Sequence, residues 1–465
     1  MLVVFGVAAI IALAVLALTA NVGTMAVAGI IGLPVAYAVA RRPKHLLGLT
    51  VALHYWGSIL PGFFTPFKIA LSVLTIEIMV VFIITRQLRA PPRAFGLAFA
   101  TLLIAVVTRE VTSDYGLDMV HVVDFLGTTA VYMAMVQFIV NRKSLKLFMF
   151  YQVANLAAID IWVLREVSWQ AMMAGSVRAS GPMGQANGLG DFVALHVPYA
   201  LAIVADRTLT RLARALALGT FVFGLYTLFA AASRAGTISF LVGILVLVLL
   251  ARGSLVKRFG LLGAALSLVV VVSAVAPTSF RDRVIGTFTG ETKMKDVSNS
   301  RLDHSRLAAK MITDRPFVGH GTGGFYAWRQ VETRGAVNEP PHSSALVMAT
   351  GYGVPLAVFY FAILIGVITL SYPVVGRWRT DATYGRALIA AACGTLVSSL
   401  SAPGVFGLPT WLNVLLLSLV PGWSQPDDET ADDGAALRAE VGPAQLPLPP
   451  TEFSRPPSHG VDNHA

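Results

Sequence analysis

Leu228-Phe229-Ala230-Ala231-Ala232-Ser233-Arg234-Ala235-Gly236 joins two long apolar runs with almost no loop between them. An apolar run of about 18 residues or more can cross roughly 30 Å of hydrocarbon as a helix. Lipid offers a bare backbone amide no partner, so such runs must be helical. The stretch therefore reads as a hairpin of two membrane helices with a cation at its tip. An Arg within the hydrocarbon costs about 2.5–3.5 kcal/mol on insertion scales. Arg234 must therefore either face a cavity or partner, or snorkel to lipid phosphate.

The same logic extends along the chain. It has 465 residues, 55% of them hydrophobic and only 13% charged, with a mean hydropathy of +0.70. Soluble domains are nearer a quarter charged, so the expectation is an all-α, polytopic membrane protein with about 12–14 transmembrane helices. Candidate spans fall near 2–20, 24–40, 46–60, 67–85, 94–108, 119–140, 147–164, 191–206, 212–232, 235–251, 259–277, 343–371, 386–402 and 405–421. Residues 2–20 lack a basic leader and read as a first span, not a cleaved signal peptide. Cys393 is the one cysteine, which excludes an internal disulfide.

The net charge of +10 is no nucleic-acid signature, because the cations sit in short loops between spans. Arg41, Arg42 and Lys44 form one basic loop; Arg86, Arg89 and Arg93 the next; then Arg142, Lys143 and Lys146. Arg207, Arg211 and Arg214 follow, then Arg252, Lys257 and Arg258, then Arg377, Arg379 and Arg386. Every second connection is basic, and the positive-inside rule puts those loops and both termini in the cytoplasm. The loops at 109–118, 165–190, 233–234, 278–342 and near Pro403 then face outward.

Four regions follow: an N-terminal transmembrane bundle over 1–277, a large extracytoplasmic loop with short amphipathic helices over 278–342, C-terminal transmembrane helices over 343–421, and a tail over 422–465. The tail is rich in Asp, Glu, Ala and Pro and reads as disordered and cytoplasmic. The loop breaks the charge pattern with Arg281, Arg283, Lys293, Lys295, Arg301, Arg306, Lys310, Arg315, Arg329 and Arg334. Large loops cross regardless of charge. A basic segment held outside suits either an anionic ligand or anionic headgroups.

Candidate site residues cluster on the outward side. His342 follows Pro340-Pro341, which end any preceding helix, and stands at the mouth of an apolar run. There it is either a neutral imidazole suited to general-base work or a residue that merely caps the helix. Arg301 opens a pattern, with Arg306 and Lys310, that predicts a short amphipathic surface helix. Arg grips phosphate oxygens two at a time, as Lys cannot. Interfacial lipid binding explains Arg306 and Lys310 well and Arg301 less so.

Gly319-His320-Gly321-Thr322-Gly323-Gly324 is not preceded by a strand or closed by Gly-Lys-Ser/Thr, so it reads as a tight turn that orients the loop and not as a nucleotide site. Arg178 is a further outward cation. Asn187 and Asp191 suit either sugar hydroxyls or helix capping, with capping the expected role for Asp191. Glu77, Asp124, Asp160, His54, His121 and His196 lie within or at the ends of spans, scattered and without a pairing pattern. No metal-ligand cluster, nucleophile elbow or Cys-x-x-Cys occurs in the sequence.

Together these patches resemble the O-antigen ligase and O-antigen polymerase (Wzy-like) superfamily of membrane glycosyltransferases. The resemblance covers about residues 150–405. It rests on Ser233-Arg234, Asn299-Ser300-Arg301, the turn Pro316-Phe317-Val318-Gly319-His320-Gly321-Thr322-Gly323-Gly324-Phe325, and His342-Ser343-Ser344-Ala345-Leu346 with Gly351 and Gly353. The loop ending Ala186-Asn187-Gly188 is similar too. Ser343 stands where the family usually has Asn, and Ser305 where an aromatic is common.

The resemblance implies a GT-C-like fold and a multi-pass protein of the cytoplasmic membrane with its active site facing outward. It implies inverting transfer of a glycan from a polyprenyl-diphosphate carrier to a hydroxyl on a glycan, lipid or protein acceptor, without metal, nucleotide or other cofactor. Membrane lipids are further partners; nucleic acid is not one. By the same resemblance His342 is the base, Arg234 and Arg301 hold the diphosphate with help from Arg178, and Asn187 and Ser343 lie where acceptor or sugar would touch. A polymerase joining lipid-linked repeat units is the near alternative. A lipid or glycan transporter and a cell-envelope scaffold are alternatives of other classes.

Overall fold

The computed structural model describes residues 42–56, 66–115, 119–173, 177–251, 263, 280–281, 295–333, 341–378, 381–400, 405 and 407–423. The predicted spans at 2–20 and 24–40, all but Gly263 of that at 259–277, and the tail beyond Trp423 lie outside these residues. In chain order the helices are α1 (Pro43–His54), α2 (Pro66–Thr85), α3 (Arg93–Val111), α4 (Met119–Phe138) and α5 (Arg142–Glu166). They continue with α6 (Trp169–Met173), α7 (Ala186–Ala205), α8 (Arg211–Ala231), α9 (Arg234–Leu250), α10 (Lys295–Asp314) and α11 (Thr322–Thr333). The last are α12 (Ser344–Tyr352), α13 (Val354–Arg377), α14 (Ala382–Ser399) and α15 (Leu408–Leu419). Short 3-10 turns occupy Gly181–Met183 and Val420–Trp423. No strand occurs among the described residues. The protein is an all-α, multi-pass membrane protein. Five of the described helices, α3, α5, α7, α8 and α13, are long and apolar enough to cross a bilayer.

Local chemistry starts these helices where it can. Asn141 and Ser144 form a reciprocal capping box at the head of α5, Thr210 caps α8, and Ser233 caps α9 by accepting from the Gly236 amide. Burial then sorts the spans. About 72% of the apolar window of α7 is buried, against 28% for α3 and α8. Thus α7 is central, packed on α5, α8, α9 and α14, while α3 and α8 present Leu97, Ile104, Leu212, Leu216, Val222 and Phe223 outward. Apolar faces of this kind belong against lipid.

The charged connections gather at one end of the bundle. Lys146 pairs with Asp206 at 3.0 Å and Asp381 at 2.9 Å, Tyr384 donates to Asp206 at 2.8 Å, and the Arg142 guanidinium lies over the Trp378 ring. The Arg89 amide bonds the Gln137 side chain nearby in the topology. At the opposite end lie the loops after α3, before α7, between α8 and α9, and before α12. That opposite end is the turn end of the bundle.

Two element predictions need correction. The span expected over 343–371 is two helices, α12 and α13, broken at Gly353, whose φ of 89° lies in the left-handed region. Hydropathy runs unbroken through the break, but the Val354 amide turns aside to bond Pro316 O at 2.8 Å. The expected short amphipathic helix is the 20-residue α10, and α11 follows it and packs against it. The span expected at 46–60 is described only as the 12-residue α1.

Candidate active site

The turn end carries two clusters of sequence-predicted residues. The first surrounds Arg234. Ala232 closes α8 with φ at 44°, and the chain re-enters helix at once, so Arg234 is the first residue of α9 and half-buried. Arg178 holds this turn from outside. Its Nε donates to Ala231 O at 3.0 Å, and its Nη2 donates to Ala232 O at 3.3 Å and Asn187 Oδ1 at 3.2 Å. The neighbouring Ala179 amide bonds Ala230 O at 2.8 Å. The last carbonyls of a helix carry partial negative charge and lack helical partners, which is why a guanidinium settles there. Arg178 and Asn187 are therefore parts of the frame around Arg234, a relationship the sequence motif does not show.

Asp191 does not cap α7. Gln185 is the N-cap, so Asp191 lies beyond the first turn, and its carboxylate hydrogen-bonds Ser398 of α14. α7 also crosses α9 closely, glycine against glycine, where Gly190 of α7 lies against Gly236 of α9.

The second cluster surrounds His342. Pro341, His342 and the N-cap Ser343 lead into α12, and His342 is half-buried. Its ring lies 5.8 Å from that of His304, which is buried on α10 and packs in turn on Phe325 of α11 at 6.3 Å. Arg301 belongs to α10, one turn before His304, and residues three apart share a helix face. Its side chain is outside the described residues.

Beside Pro341 opens a shallow cleft bordered by His121, Thr322, Phe325, Tyr326 and Thr350. The glycine turn forms one wall, as expected of an orienting turn. Gly319 and Gly321 have φ of 63° and 75°, and the His320 and Gly321 amides bond Thr350 O at 2.8 Å and Gly351 O at 2.7 Å. These bonds cap the carbonyl end of α12.

The turn is also held from α3. Glu110 is fully buried and accepts from the Thr322 amide, the Thr322 hydroxyl and the Tyr352 hydroxyl, while Arg109 and Ser113 donate to Gly319 O and His320 O. Glu110 and His304 were missed from sequence. The adjacent Arg109-Glu110 pair at the end of an apolar run is the signal that could have found the first. Farther out, the Arg315 hydrogen bond and charge hold the Asp114 carboxyl below its usual range. Burial lowers the His320 imidazole, against the opposing Met311 carbonyl and with help from Arg315.

Some of the other span-embedded groups have partners within the bundle. Asp160 accepts from the Thr227 hydroxyl at 2.6 Å, and His196 Nδ1 bonds Phe192 O of its own helix at 2.7 Å. Tyr199 donates to Asn413.

Residues 219–361 match the O-antigen ligase family. This is the family that the sequence motifs resemble. The O-antigen ligase match encloses Arg234, Arg301 and His342, while Arg178 and Asn187 precede it. No curated protein matches the chain. The match supports an O-antigen ligase or polymerase type of function in general, that of a glycosyltransferase-like membrane enzyme with lipid-linked glycan and acceptor as partners.

Proposed function

We propose that the protein moves a glycan from a polyprenyl-diphosphate carrier to an acceptor hydroxyl at the outer face of the cytoplasmic membrane. The observation that carries this reading is that the O-antigen ligase match encloses Arg234, Arg301 and His342 together. The placement of Arg234 and His342 at the same end of the bundle supports it.

In this mechanism the acceptor hydroxyl attacks the anomeric carbon opposite the carrier oxygen. His342, at the positive end of α12, takes the hydroxyl proton. The new glycosidic C–O bond forms as the bond from the anomeric carbon to the diphosphate oxygen breaks, with inversion. The departing diphosphate carries the electron pair, and Arg234 and Arg301 stabilise its charge in a site of low dielectric. Arg178 acts on this step by fixing the turn that presents Arg234. Asn187 and Ser343 border the acceptor or sugar. The chemistry asks for no metal or cofactor.

The test is the lipid-linked species that accumulates in cells lacking the protein, followed by the product formed on its return. Accumulation of a carrier-linked glycan and its one-step transfer to a separate acceptor is the expected result. A ladder of increasing length would show a polymerase. Movement of lipid-linked glycan across liposomes with no covalent product would overturn the reading in favour of a transporter.

A further inference from the structure

A carboxylate with no exposure needs donors to replace its lost hydration, and Glu110 finds three. The Thr322 amide donates to Oε1 at 2.9 Å, the Thr322 hydroxyl to Oε2 at 3.0 Å, and the Tyr352 hydroxyl to Oε1 at 2.7 Å. Thr322 is the first residue of α11, so the carboxylate also meets the positive end of that helix. Tyr352 is the last residue of α12, the helix that His342 precedes. One side chain of α3 thereby ties together the two helices that border the cleft.

Its neighbours reinforce the tie. Arg109 Nη2 donates to Gly319 O at 2.8 Å and Ser113 Oγ to His320 O at 2.9 Å. Of the residues so fixed, Gly321, Thr322 and Gly351 line the cleft directly beside Pro341. The Arg178 bonds go elsewhere, to the α8–α9 turn and Asn187 of α7. Each cluster of the turn end is anchored by its own charged residue.

We infer that Glu110 is a positioning residue for the His342 half of the site, holding α11 and α12 in register so that an acceptor hydroxyl in the cleft meets the imidazole. The inference rests on the proposed role of His342 as base. Because the Arg234 half has a separate anchor, loss of Glu110 slows transfer and leaves the hold on the diphosphate carrier intact. A residue that served only general stability would lower both together.

The experiment uses the full-length protein in detergent or nanodiscs, with undecaprenyl diphosphate as the binding probe and a cell-based glycan-transfer assay beside it. Glu110→Ala is expected to bind the probe within about twofold of the parent while transfer falls about 10- to 100-fold, the scale of a misplacement near 1 Å. Glu110→Gln restores most of the transfer, since its carbonyl accepts from Thr322 and Tyr352 and its amide can donate to the Thr322 hydroxyl. Thr322→Val and Tyr352→Phe each remove one hydroxyl and lower transfer several-fold with binding unchanged. These two decide the matter if Glu110→Ala does not fold.

The inference is overturned if these variants transfer like the parent, or if probe binding falls as far as transfer. His342→Ala is run alongside. Full activity in that variant removes the base and this inference with it. An inactive His342→Ala beside a parent-like Glu110→Ala and Thr322→Val removes this inference alone.

Discussion

Gly236 lies against Gly190 so closely that a β-carbon on Gly236 would stand 2.5 Å from the Gly190 carbonyl carbon. The crossing of α7 and α9 at this point has no room for a methyl group, and the Gly236 amide, two positions from Arg234, also donates to the Ser233 cap. Small residues at a helix crossing let backbones approach where lipid supplies no hydrophobic drive. Gly236→Ala therefore pushes the head of α9 away from α7. Overpacking of this kind costs about 1–3 kcal/mol. The expected result is a lower Tm in detergent together with reduced glycan transfer. A variant with parental Tm and parental transfer would show that the crossing yields without moving Arg234.

His342 and Arg234 differ in what a conservative change removes. His342→Ala deletes the proposed proton acceptor and is expected to lower turnover about 10²- to 10⁴-fold. Arg234→Lys keeps the charge and loses the fork that takes two phosphate oxygens, so carrier binding weakens as well as turnover. Lys310, exposed on α10, offers the contrast: Lys310→Ala is expected to transfer nearly as the parent does. The cell-based transfer assay ranks the three, and parental activity in His342→Ala would eliminate it as the base.

What was legible in the sequence followed from local rules. Spans could be read because lipid forces helix on any long apolar run, and Ser233-Arg234 could be read as a tip because no residues remain for a loop. The glycine turn could be read because left-handed backbone at Gly319 and Gly321 needs glycine. The break at Gly353 was hidden, because Val354 and the residues after it are as apolar as a continuous span. For Glu110 the local signal stops at the charged pair with Arg109: its donors are 212 and 242 residues away, and nothing local marks those partners. Arg178 is legible in the sequence as a cation but not as a frame, since two of its partners are backbone carbonyls, which have no sequence signature.

That role for Arg178 is itself testable. Its planar guanidinium serves two carbonyls and Asn187 at once, a geometry that a lysine ammonium cannot reproduce. Arg178→Lys is expected to lower the Tm by a few degrees and to weaken binding of undecaprenyl diphosphate. Asn187→Ala, which removes one of the three partners, should do the same to a smaller extent. If Arg178→Lys weakens probe binding with no change in Tm, the guanidinium touches the ligand directly, and the framing role is wrong.

His320 makes the docking of the glycine turn sensitive to acid. Burial depresses its imidazole below the ordinary value of about 6.5, and Arg315 and Arg109 add to the depression while the Met311 carbonyl and Asp314 oppose it. The folded turn then binds fewer protons than the undocked one between the depressed and ordinary values, so docking strengthens as pH rises through that window. Its contribution is fully present above about pH 6.5 and is lost as pH falls below it. Asp114, with its carboxyl held low by Arg315, acts in a separate window: its contribution persists until pH falls below the ordinary carboxylate value near 3.9. Amide hydrogen exchange at 316–324 should therefore speed up, after correction for intrinsic rates, as pH falls below about 6.5. In His320→Phe, which keeps an aromatic ring between Tyr115 and Trp328, that step should vanish. An unchanged step in His320→Phe would assign the acid response to another group.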